Sequence, residues 1–384
     1  MKHYDYIIAG AGCAGLSFAI HLINSAKFSH SQILIIDRHA GRKNDRTWCY
    51  WETKSGPFDS IVSKKWKTLN FYSPGYNAAL DIAPYTYKLI RSIDYYNYAD
   101  SMIDKQSNID YFYGDIGKIE ENQDRATIYA GDQVFSADYI FNSLITKSPL
   151  NKGDIVLQQH FKGLLIECPP DSFDAGKATL MDFTIPQPGE TAFMYVLPLS
   201  DTRALVEYTI FGKEIWPSDA YDAQLAEYIT SRLNLKSYKI LETELGSIPM
   251  SSQSVSQKSA RIIQLGISGG QTKASTGYTF QFIQQHSAAL VAALILTGNP
   301  ALHSKKRLLR FHFYDSVLLR VLSAWPEKGA EIFQCIFQKN PVVSVLHFLD
   351  NTSLFTEEVK LALSLQKRLF IPAALTQIRN IFRK

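Results

Sequence analysis

A glycine-rich turn near the N-terminus is the feature that most limits what this chain can fold into. Residues 10–15 (GAGCAG) directly follow a short apolar run, YIIA, and precede apolar residues that recur at helical spacing. A second apolar run, ILII, then ends at Asp37, which lies 22 positions after Gly15. Strand, glycine turn, helix and strand in this order predict a βαβ unit with the fingerprint of a dinucleotide-binding fold.

Each glycine of this turn has its own expected role. Gly10 permits the tight turn, and Gly12 lets the backbone approach a pyrophosphate because no Cβ is in the way. Gly15 lets helix and strand pack closely, while Asp37 would accept hydrogen bonds from the adenosine ribose. The helix N-terminus adds amide donors and partial positive charge. Both FAD and NAD use this fingerprint, so the turn leaves the cofactor open, and a structural turn without a ligand is the alternative.

The remaining patterns predict a nucleotide-binding domain that is interrupted by a second domain. Residues 149–240 are dense in strand-like runs separated by Pro and Gly turns, and the strand before Gly266 is typical of a late return to the first sheet. We therefore expect the FAD- or NAD-binding domain at 1–148 and 241–300, with a substrate-binding sheet domain at 149–240. Residues 301–384 are predicted to be helical. Helix breaks are expected near residue 300 and at Pro326, Pro341 and Pro372.

Composition excludes several classes of function. The net charge of +4 is too small to indicate a dedicated nucleic-acid binder. The four cysteines are scattered without metal-ligand spacing, which predicts neither a metal site nor a disulfide framework and fits a reducing cytoplasm. The N-terminus shows no export signal, and the longest apolar stretch, residues 288–296, is far shorter than the ~20 residues that span a bilayer. We expect a cytoplasmic protein without a membrane-spanning helix.

One acidic residue lies within an apolar strand pattern. In the segment ALVEYT, strand alternation places Leu205, Glu207 and Thr209 on one face and the intervening residues on the other. Burial there would raise the pKa of the carboxyl, which is what a group that donates a proton near neutral pH requires. The alternative, which the pattern alone favours, is a glutamate that faces solvent from a half-buried strand.

Two loops are expected to contact the cofactor. The segment DRTWCYWE contains Arg46, which could hydrogen-bond a flavin or its phosphates, and Trp51, which could stack on the cofactor or pack in the core. A later loop is rich in glycines and hydroxyls, contains Lys273 and precedes a helix, which is typical of a loop whose amides face an anion or the edge of a flavin. The residues expected to line this later loop are Gly266, Gly269, Gly270 and Thr272.

Five motifs together carry a resemblance to a known family. GAGCAG with Asp37, DRTWCYWE, LPLSDTRALVEYT, ELGSIPM and GGQTKASTGYTF occur in an order and at intervals that resemble the bacterial flavoprotein lycopene β-cyclases of carotenoid biosynthesis. The resemblance implies an α/β fold of hydroxylase-like flavoprotein architecture. Its parts would be a Rossmann-like FAD-binding domain, an antiparallel β-sheet substrate domain and a helical C-terminal region.

The resemblance also implies an activity. The family cyclises the linear ψ-ends of lycopene to β-rings with reduced FAD and no net redox change, with NADPH or NADH as the expected reductant. The family's acidic motif falls on Glu207, so the resemblance favours this residue as the general acid. A FAD-dependent monooxygenase or polyprenyl reductase on the same fold is the first alternative. A flavin-binding membrane protein without turnover is the second.

Two departures from hydroxylase-like flavoproteins argue against oxygen chemistry. Such proteins usually carry Gly-Asp where this chain has Gly266 and Ile267, and Asp-Gly where it has Asn142 and Ser143. No carboxylate is then expected to hold the ribityl chain at the first position. Both losses fit a cyclase better than a hydroxylase.

The C-terminal segment predicts contact with a membrane. Residues 301–384 carry 13 basic and 6 acidic side chains. Ile371, Leu375, Ile378 and Phe382 form one helical stripe, and such a helix can lie in a membrane interface with its cations at anionic headgroups. We expect peripheral attachment to the inner face of the cell membrane, where linear carotenes dissolve. The alternative is a terminal helix packed on the core.

Overall fold

The structure is a computed structural model that describes residues 1–145, 150–255, 259–302 and 306–381, with the backbone alone at 306–308. The predicted boundary at 148 lies outside the described residues. The strands are β1 (Lys2–Ala9), β2 (Ile33–Asp37), β3 (Thr47–Glu52), β4 (Lys64–Trp66), β5 (Thr68–Ser73), β6 (Tyr76–Asp81), β7 (Thr86–Arg91), β8 (Ile109–Tyr113), β9 (Ile116–Glu121), β10 (Ala126–Ala130), β11 (Gln133–Asn142), β12 (Val156–Glu167), β13 (Lys177–Asp182), β14 (Thr191–Pro198), β15 (Arg203–Gly212), β16 (Lys239–Ser251) and β17 (Ile262–Gln264). The α-helices are α1 (Cys13–Asn24), α2 (Ser92–Ile103), α3 (Ser218–Glu227), α4 (Phe280–Thr297), α5 (Lys306–Ala324), α6 (Gly329–Lys339), α7 (Val342–Leu349), α8 (Phe355–Ser364) and α9 (Lys367–Ile381).

A seven-stranded sheet forms the first layer, with β1 near its centre. Strand β1 lies parallel between β2 and β11, so that Ile7 is opposite Leu34 on one side and Ile140 on the other. The strand order is β8-β2-β1-β11-β10-β9, and β17 pairs in parallel with the end of β11. The predicted βαβ unit and the late return of the chain to this sheet are therefore confirmed.

Helices α1, α2 and α4 pack beside this sheet in one apolar core. In the described part of the chain, α4 is the one helix with the length and apolar character of a membrane span. Its residues Ile283, Leu290 and Leu294 are nevertheless buried in the core that contains α1. A helix with such a buried face is accounted for by packing within the protein.

A second seven-stranded sheet has the order β16-β12-β15-β14-β13-β5-β6, and its neighbours are antiparallel except for β13 and β5. This differs from the predicted division in two places. Strands β5 and β6 come from the segment expected in the nucleotide-binding domain, and β16 runs past the predicted boundary at 240. Because β6 and β16 are the outermost strands, they mix exposed and half-buried residues and show no apolar run in the sequence.

The two faces of the second sheet have different coverings. On one face, Val206 and Tyr208 of β15 belong to a core that includes Tyr221 of α3. On the other face, Leu205 of β15 belongs to a core that includes Phe333 of α6 and other residues of the C-terminal helices. The predicted alternation of β15 is thus confirmed, and both faces of the strand are covered. A small sheet of order β3-β7-β4 adds Trp51, Trp66 and Tyr87 to the second of these cores.

The C-terminal region is helical as predicted, and three of its four predicted breaks are present. Helices α4 and α5 are separated around residue 300, α5 ends before Pro326, and α7 follows Pro341. The prediction of a break at Pro372 is wrong, because this residue lies inside α9. Helix α9 contacts α5 and buries Ala373, so the free energy gained by tertiary packing offsets the loss of the backbone hydrogen bond that proline cannot make.

Candidate active site

The glycine turn between β1 and α1 has the geometry that its fingerprint requires. Gly10 has a φ of +92°, which favours glycine. A Cβ on Gly15 would lie 2.0 Å from the carbonyl oxygen of Gly10, so only glycine lets α1 approach β1 this closely. A Cβ on Gly12 would meet no atom of the described residues within 4 Å. The first turn of α1 is uncharged (CAGL), so the open space at its N-terminus can accept an anionic group.

Asp37 lies at the end of β2 and contacts the glycine turn. Its Oδ2 accepts a hydrogen bond from the amide of Ala11 at 2.6 Å, and its Oδ1 accepts one from the amide of His39 at 2.9 Å. The carboxylate is therefore beside the turn, where the fingerprint expects it. Its contact with a ribose stays a prediction.

A second cation at the turn, Arg42, was missed by the sequence analysis. Its Nη1 donates a hydrogen bond to the carbonyl oxygen of Ala11 at 3.1 Å, and its guanidinium lies 5.0 Å from the centre of the Tyr96 ring. The side chain is 14% exposed and pairs with Asp100 at 3.5 Å. The sequence signal for Arg42 is its position as a cation in the loop after the second strand. The same loop contains Arg46, which was preferred because it belongs to the aromatic motif DRTWCYWE.

The loop that begins at Gly266 packs directly against the glycine turn. Gly266 has a φ of +62°, and a Cβ on it would lie 2.8 Å from the Cβ of Ala14 in α1. Gly270 has a φ of +78°, and its amide donates to the carbonyl oxygen of Ile267 at 3.0 Å. These two glycines are thus required by the backbone, and they bring two glycine-rich segments together at one end of the first sheet.

The other two residues predicted to line this loop make bonds within it. A Cβ on Gly269 would lie 2.4 Å from the carbonyl oxygen of Gln264, so this glycine allows the chain to double back. The hydroxyl of Thr272 accepts a hydrogen bond from the hydroxyl of Thr279 at 3.2 Å. Contact of either residue with a cofactor stays a prediction.

Asn142 and Ser143, which depart from the hydroxylase-like pattern, connect the loops. The hydroxyl of Ser143 lies 2.9 Å and 3.0 Å from the carbonyl oxygens of Ala9 and Gly10, to which it can donate. The side-chain amide of Asn142 donates to Oε1 of Gln264 at 3.0 Å. Both side chains therefore stabilise the region where the two glycine-rich segments meet.

Lys273 does not face an anion-binding loop, in contrast to the expectation from its neighbours. Its Nζ lies 2.9 Å from Oδ1 of Asp315 in α5, donates to Oδ1 of Asn351 at 2.7 Å and stands 4.7 Å from the centre of the Phe348 ring. The ammonium is fully buried. The positive charge thus connects the loop to the C-terminal helices instead of to a ligand.

Glu207 lies on the predicted face of β15 and is partly buried. Thr209 on the same face donates a hydrogen bond to its Oε1 at 2.7 Å. Apolar cores cover both faces of β15 and the Glu207 side chain is itself partly buried, so the strand is not a half-buried one with its carboxylate in open solvent. The carboxyl instead faces the C-terminal helices and the small sheet that contains Trp51.

A second glutamate meets Glu207 across a glycine. In the sheet, Gly163 of β12 pairs with Glu207 of β15 on one side and with Glu244 of β16 on the other. The two carboxyls are within hydrogen-bonding reach of each other. A Cβ on Gly163 would lie 2.9 Å from Cγ of Glu244 and 3.0 Å from Cδ1 of Leu205. The absence of a side chain at this position therefore leaves the space in which the two carboxyls meet.

The surroundings favour the proton on Glu207. Burial, and then the charge of Glu244, raises the pKa of Glu207 well above its usual value. Burial also raises the pKa of Glu244, but hydrogen bonds from Thr47, at 2.9 Å, and from Glu207, together with the charge of Arg46, act in the opposite direction. A proton held by the pair is therefore favoured on Glu207 over Glu244.

Arg46 connects this glutamate pair with the glycine turn. Its guanidinium pairs with Asp45 at 2.8 Å and is about half exposed. Burial raises the pKa of both Cys13, which follows Gly12, and Glu244, and the charge of Arg46 opposes this rise at both groups. Arg46 therefore lies between the proposed phosphate site and the acidic pair, although its contact with a cofactor stays a prediction.

A cleft with an empty volume of about 370 Å³ opens beside Glu244. Its apolar lining residues are Leu89, Leu165, Leu199 and Leu205. Thr47, Arg91 and Glu242 are among its polar lining residues, and the last two form an ion pair at 2.6 Å. The cleft thus combines an apolar wall with access to the carboxylate of the pair.

Four aromatic side chains, Trp51, Tyr87, Tyr195 and Tyr278, form an aromatic wall beside the pair. Tyr195 is opposite Glu207 in the sheet, and Trp51 has its ring centre 4.6 Å from Tyr278 and 6.3 Å from Tyr87. Burial raises the pKa of all three tyrosines, so they remain uncharged. Of the two predictions for Trp51, packing in the core is the one that its burial supports.

Comparisons with known proteins agree with this arrangement. The sequence profile of the lycopene cyclase protein family matches residues 5–377. No curated protein sequence matches the chain. A solved geranylgeranyl bacteriochlorophyll reductase-like protein from Thermoplasma acidophilum is similar in structure, with a TM-score of 0.60 and 12% identity over 98% of this chain and 96% of that one.

Two further solved structures share the architecture. A p-nitrophenol 4-monooxygenase from Pseudomonas putida has a TM-score of 0.60 and 14% identity, and the similarity covers 95% of this chain and 97% of that one. A flavin-dependent brominase has a TM-score of 0.60 and 12% identity, covering 100% and 98%. At such low identity these likenesses show the fold alone. The predicted hydroxylase-like α/β architecture is thereby confirmed.

Proposed function

The chain belongs to the lycopene cyclase family, and from this premise we propose that it converts the linear ψ-ends of lycopene, or of a related linear carotene, to β-rings. The observation that carries this proposal is Glu207, a carboxyl in an antiparallel sheet opposite Tyr195 of an aromatic wall, where burial raises its pKa. The reaction needs a proton donor, a folded substrate end and protection of a cation from water. Residues of this chain can supply all three.

The proton step starts at Glu207. Its carboxylic acid gives a proton to C2 of the terminal C1=C2 double bond, which leaves a cation at C1. The C5=C6 bond attacks this centre, the C1–C6 bond forms, and loss of the proton on C6 completes the β-ring. Atoms and electrons balance without an oxidant or a reductant. Positioned acid–base groups typically contribute about 100- to 10,000-fold to such a step.

The aromatic wall would protect and stabilise the cation. Neutral tyrosine and tryptophan rings attract a cation through their π-faces, by roughly 2 kcal/mol or more where water is excluded. Tyr87 and Tyr195 are almost completely buried. The apolar side of the cleft would hold the substrate end in the conformation that cyclises, because a well-positioned internal double bond reacts faster than a mobile one.

FAD is the cofactor that we propose, and the residues at the glycine turn fit it. Gly12 leaves open space at the N-terminus of α1, Asp37 lies beside the turn, where it could accept hydrogen bonds from a ribose, and Arg42 and Arg46 provide positive charge nearby. In its reduced, anionic form FAD would supply negative potential beside the cation. NADPH or NADH is the proposed source of electrons that keep it reduced.

Membrane attachment is the proposed route to a substrate that dissolves in lipid. In α9, Ala373 is buried against the core, while Ile371, Leu375 and Ile378 are 54%, 52% and 40% exposed. The helix thus packs on the protein with one side and exposes the predicted stripe with another. Phe382 of that stripe, Arg383 and Lys384 lie outside the described residues.

A second exposed apolar row and several cations support this proposal. Phe355, Val359 and Leu363 of α8 are 67%, 40% and 65% exposed. Lys367 and Arg368 lie exposed at the start of α9. Exposed apolar rows beside cations are typical of surfaces that bind anionic bilayers. We therefore propose a cytoplasmic enzyme attached to the inner face of the cell membrane.

Expression in a lycopene-accumulating bacterium tests the proposed function. We expect the pigment to change from red lycopene to orange-yellow products with β-rings. The matched control is Glu207→Gln, which keeps the shape of the side chain but cannot donate this proton, and should leave lycopene unchanged. Unaltered lycopene with the wild-type protein, expressed and folded, would refute the cyclase assignment. Oxygenated or hydrogenated carotenoids would favour the monooxygenase or reductase alternative.

A further inference from the structure

We infer that Gly163 and Glu244 are part of the proton-transfer machinery: Gly163 leaves the gap in which Glu207 and Glu244 hold one proton, and Glu244 is the second residue that handles protons during cyclisation. This inference rests on the proposed function and adds a positioning residue and a catalytic partner to it. Its basis is a relationship across three neighbouring strands.

Strand register fixes the meeting point. Gly163 of β12 is the residue opposite both Glu207 and Glu244. The two glutamates are therefore at the same level of the sheet, one on each side of a residue that has no side chain. Any other residue would carry a Cβ, which would lie 2.9 Å from Cγ and 3.1 Å from Oε1 of Glu244. Contacts below 3 Å require the neighbour to move, and the neighbour here is the second carboxyl.

The groups around the pair explain why it carries one proton. Tyr195 on β14 is buried near Glu207, while Cys49 on β3 and Tyr278 are partly buried there. Desolvation raises the pKa of all three, which keeps them neutral. Around Glu244, Thr47 donates a hydrogen bond, and Asp45 and Arg46 contribute opposite charges. Two adjacent carboxylates would repel each other, so one of the two retains its proton.

In this arrangement the glutamate pair can both donate the proton that starts the reaction and accept the proton that is lost at its end. Glu207 transfers its proton to C2 of the substrate, which leaves two carboxylates beside the newly formed cation. Their combined negative charge stabilises the cation and makes the pair basic, so it can take the proton that C6 loses when the ring is completed. One proton leaves the pair and one returns for each ring, and no external acid or base is consumed.

The test compares four variants of the full-length protein loaded with FAD, one of which, Glu207→Gln, serves the infrared measurement. Glu244→Gln removes the second carboxyl with little change in shape, Gly163→Ala places a methyl group in the gap, and Gly117→Ala is the matched control. Gly117 also lies in a strand, but the nearest atom to a Cβ there is the carbonyl oxygen of Tyr129 at 4.0 Å. Two measurements are made: the pH dependence of lycopene cyclisation, and an infrared titration of protonated carboxyl groups.

We expect both site variants to cyclise lycopene at least about 10-fold more slowly, with Gly117→Ala unchanged. The active form carries the proton on Glu207, so activity is lost as pH rises through its pKa. Removing or displacing Glu244 takes away a negative charge that keeps this pKa high, so the alkaline limb should move to lower pH by about one unit or more. If Glu244 and Gly163 had only a structural role, their substitution would lower the rate without moving the alkaline limb of the pH profile.

The infrared titration separates this inference from the proposed function, because it needs no turnover. At neutral pH the wild type should show a protonated carboxyl component that is lost in Glu207→Gln and titrates at lower pH in Glu244→Gln. Burial raises the pKa of Asp350 to about 7, so its own carboxyl signal should be the same in all variants. If the wild type shows this infrared titration but does not cyclise lycopene, the shared proton of Glu207 and Glu244 is supported and the proposed function is refuted. Wild-type rates and pH profiles in Glu244→Gln and Gly163→Ala, or an infrared titration that Glu207→Gln leaves unchanged, would overturn the inference.

Discussion

The ammonium of Lys273 lies 2.9 Å from the carboxylate of Asp315, and both side chains are buried. Lys273 belongs to the loop that follows Gly266, and Asp315 belongs to α5. This ion pair therefore connects the loop beside the glycine turn to the helices that cover the substrate sheet.

The first prediction concerns this ion pair. Asp315→Asn should lower the free energy of unfolding by about 3–5 kcal/mol, because it leaves a buried ammonium without its counter-charge. Urea denaturation measures the change. Asp174→Asn is the control, since it removes the exposed partner of Lys177 and should cost far less. The double variant Lys273→Met/Asp315→Leu should regain much of the loss, and equal small losses in all three variants would contradict this account.

The second prediction separates two glycines of the same turn. Gly12→Val should yield folded protein without FAD, because its side chain enters open space where the pyrophosphate is proposed to lie. Gly15→Val should fail to fold normally, since a Cβ there would meet the carbonyl oxygen of Gly10 at 2.0 Å. Flavin absorbance and circular dichroism of the purified proteins check both results. A yellow Gly12→Val protein with bound FAD would refute this assignment of the phosphate site.

The third prediction concerns stability in acid. His160 is fully buried under α3, and burial lowers its pKa to about 4. The unfolded chain has a histidine pKa of about 6.5, so it binds more protons than the folded chain between these values. Stability should thus fall as pH drops through this range, by about 2 kcal/mol from this residue at pH 5.

Unfolding of His160→Gln at pH 8 and pH 5 isolates this contribution. The variant should lose less stability than the wild type between the two pH values, because glutamine does not titrate. His30→Gln, at an exposed position, is the control and should keep the wild-type pH dependence. The same loss in His160→Gln as in the wild type would show that another group causes the acid sensitivity.

The fourth prediction concerns the exposed stripe of α9. Leu375→Gln should weaken flotation with anionic liposomes, because it removes apolar surface proposed to enter the bilayer interface. Thr376→Gln is the matched control, as it changes an exposed neighbour off the stripe. Substitution is preferable to truncation, since α9 also buries Ala373 in the core. Equal flotation of both variants and the wild type would show that this stripe is not the anchor.

The fold was predictable where the chain's local pattern determines it. The glycine turn, Asp37 and the alternation around Glu207 each follow from spacing that a strand or helix imposes on its own residues. Strands β6 and β16 were not recognised, since outer strands have little apolar periodicity. Pro372 was misassigned because tertiary packing of α9 outweighs the local preference of proline.

The site was only partly predictable for a related reason. Glu244 was recognised as part of a motif, but its contact with Glu207 depends on pairing between β12, β15 and β16, which no local pattern encodes. Gly163 carries no sequence signal of its own, because its importance arises from two neighbours far away in the chain. The partner of Lys273, Asp315, is likewise distant in sequence, which is why a cation among glycines was assigned to an anion site.

Cyclisation of lycopene by an excess of the purified protein equilibrated in D₂O, so that each molecule turns over at most once, with reduced FAD and without oxygen, tests the central claim most directly. If Glu207 delivers an exchangeable proton to C2 and the reaction is not a redox reaction, the product is an isomer of lycopene that contains one deuterium for each β-ring formed, and the flavin remains reduced. A cyclised product without deuterium, or one whose formation consumes NADH or FADH₂ in proportion to its amount, would contradict the account.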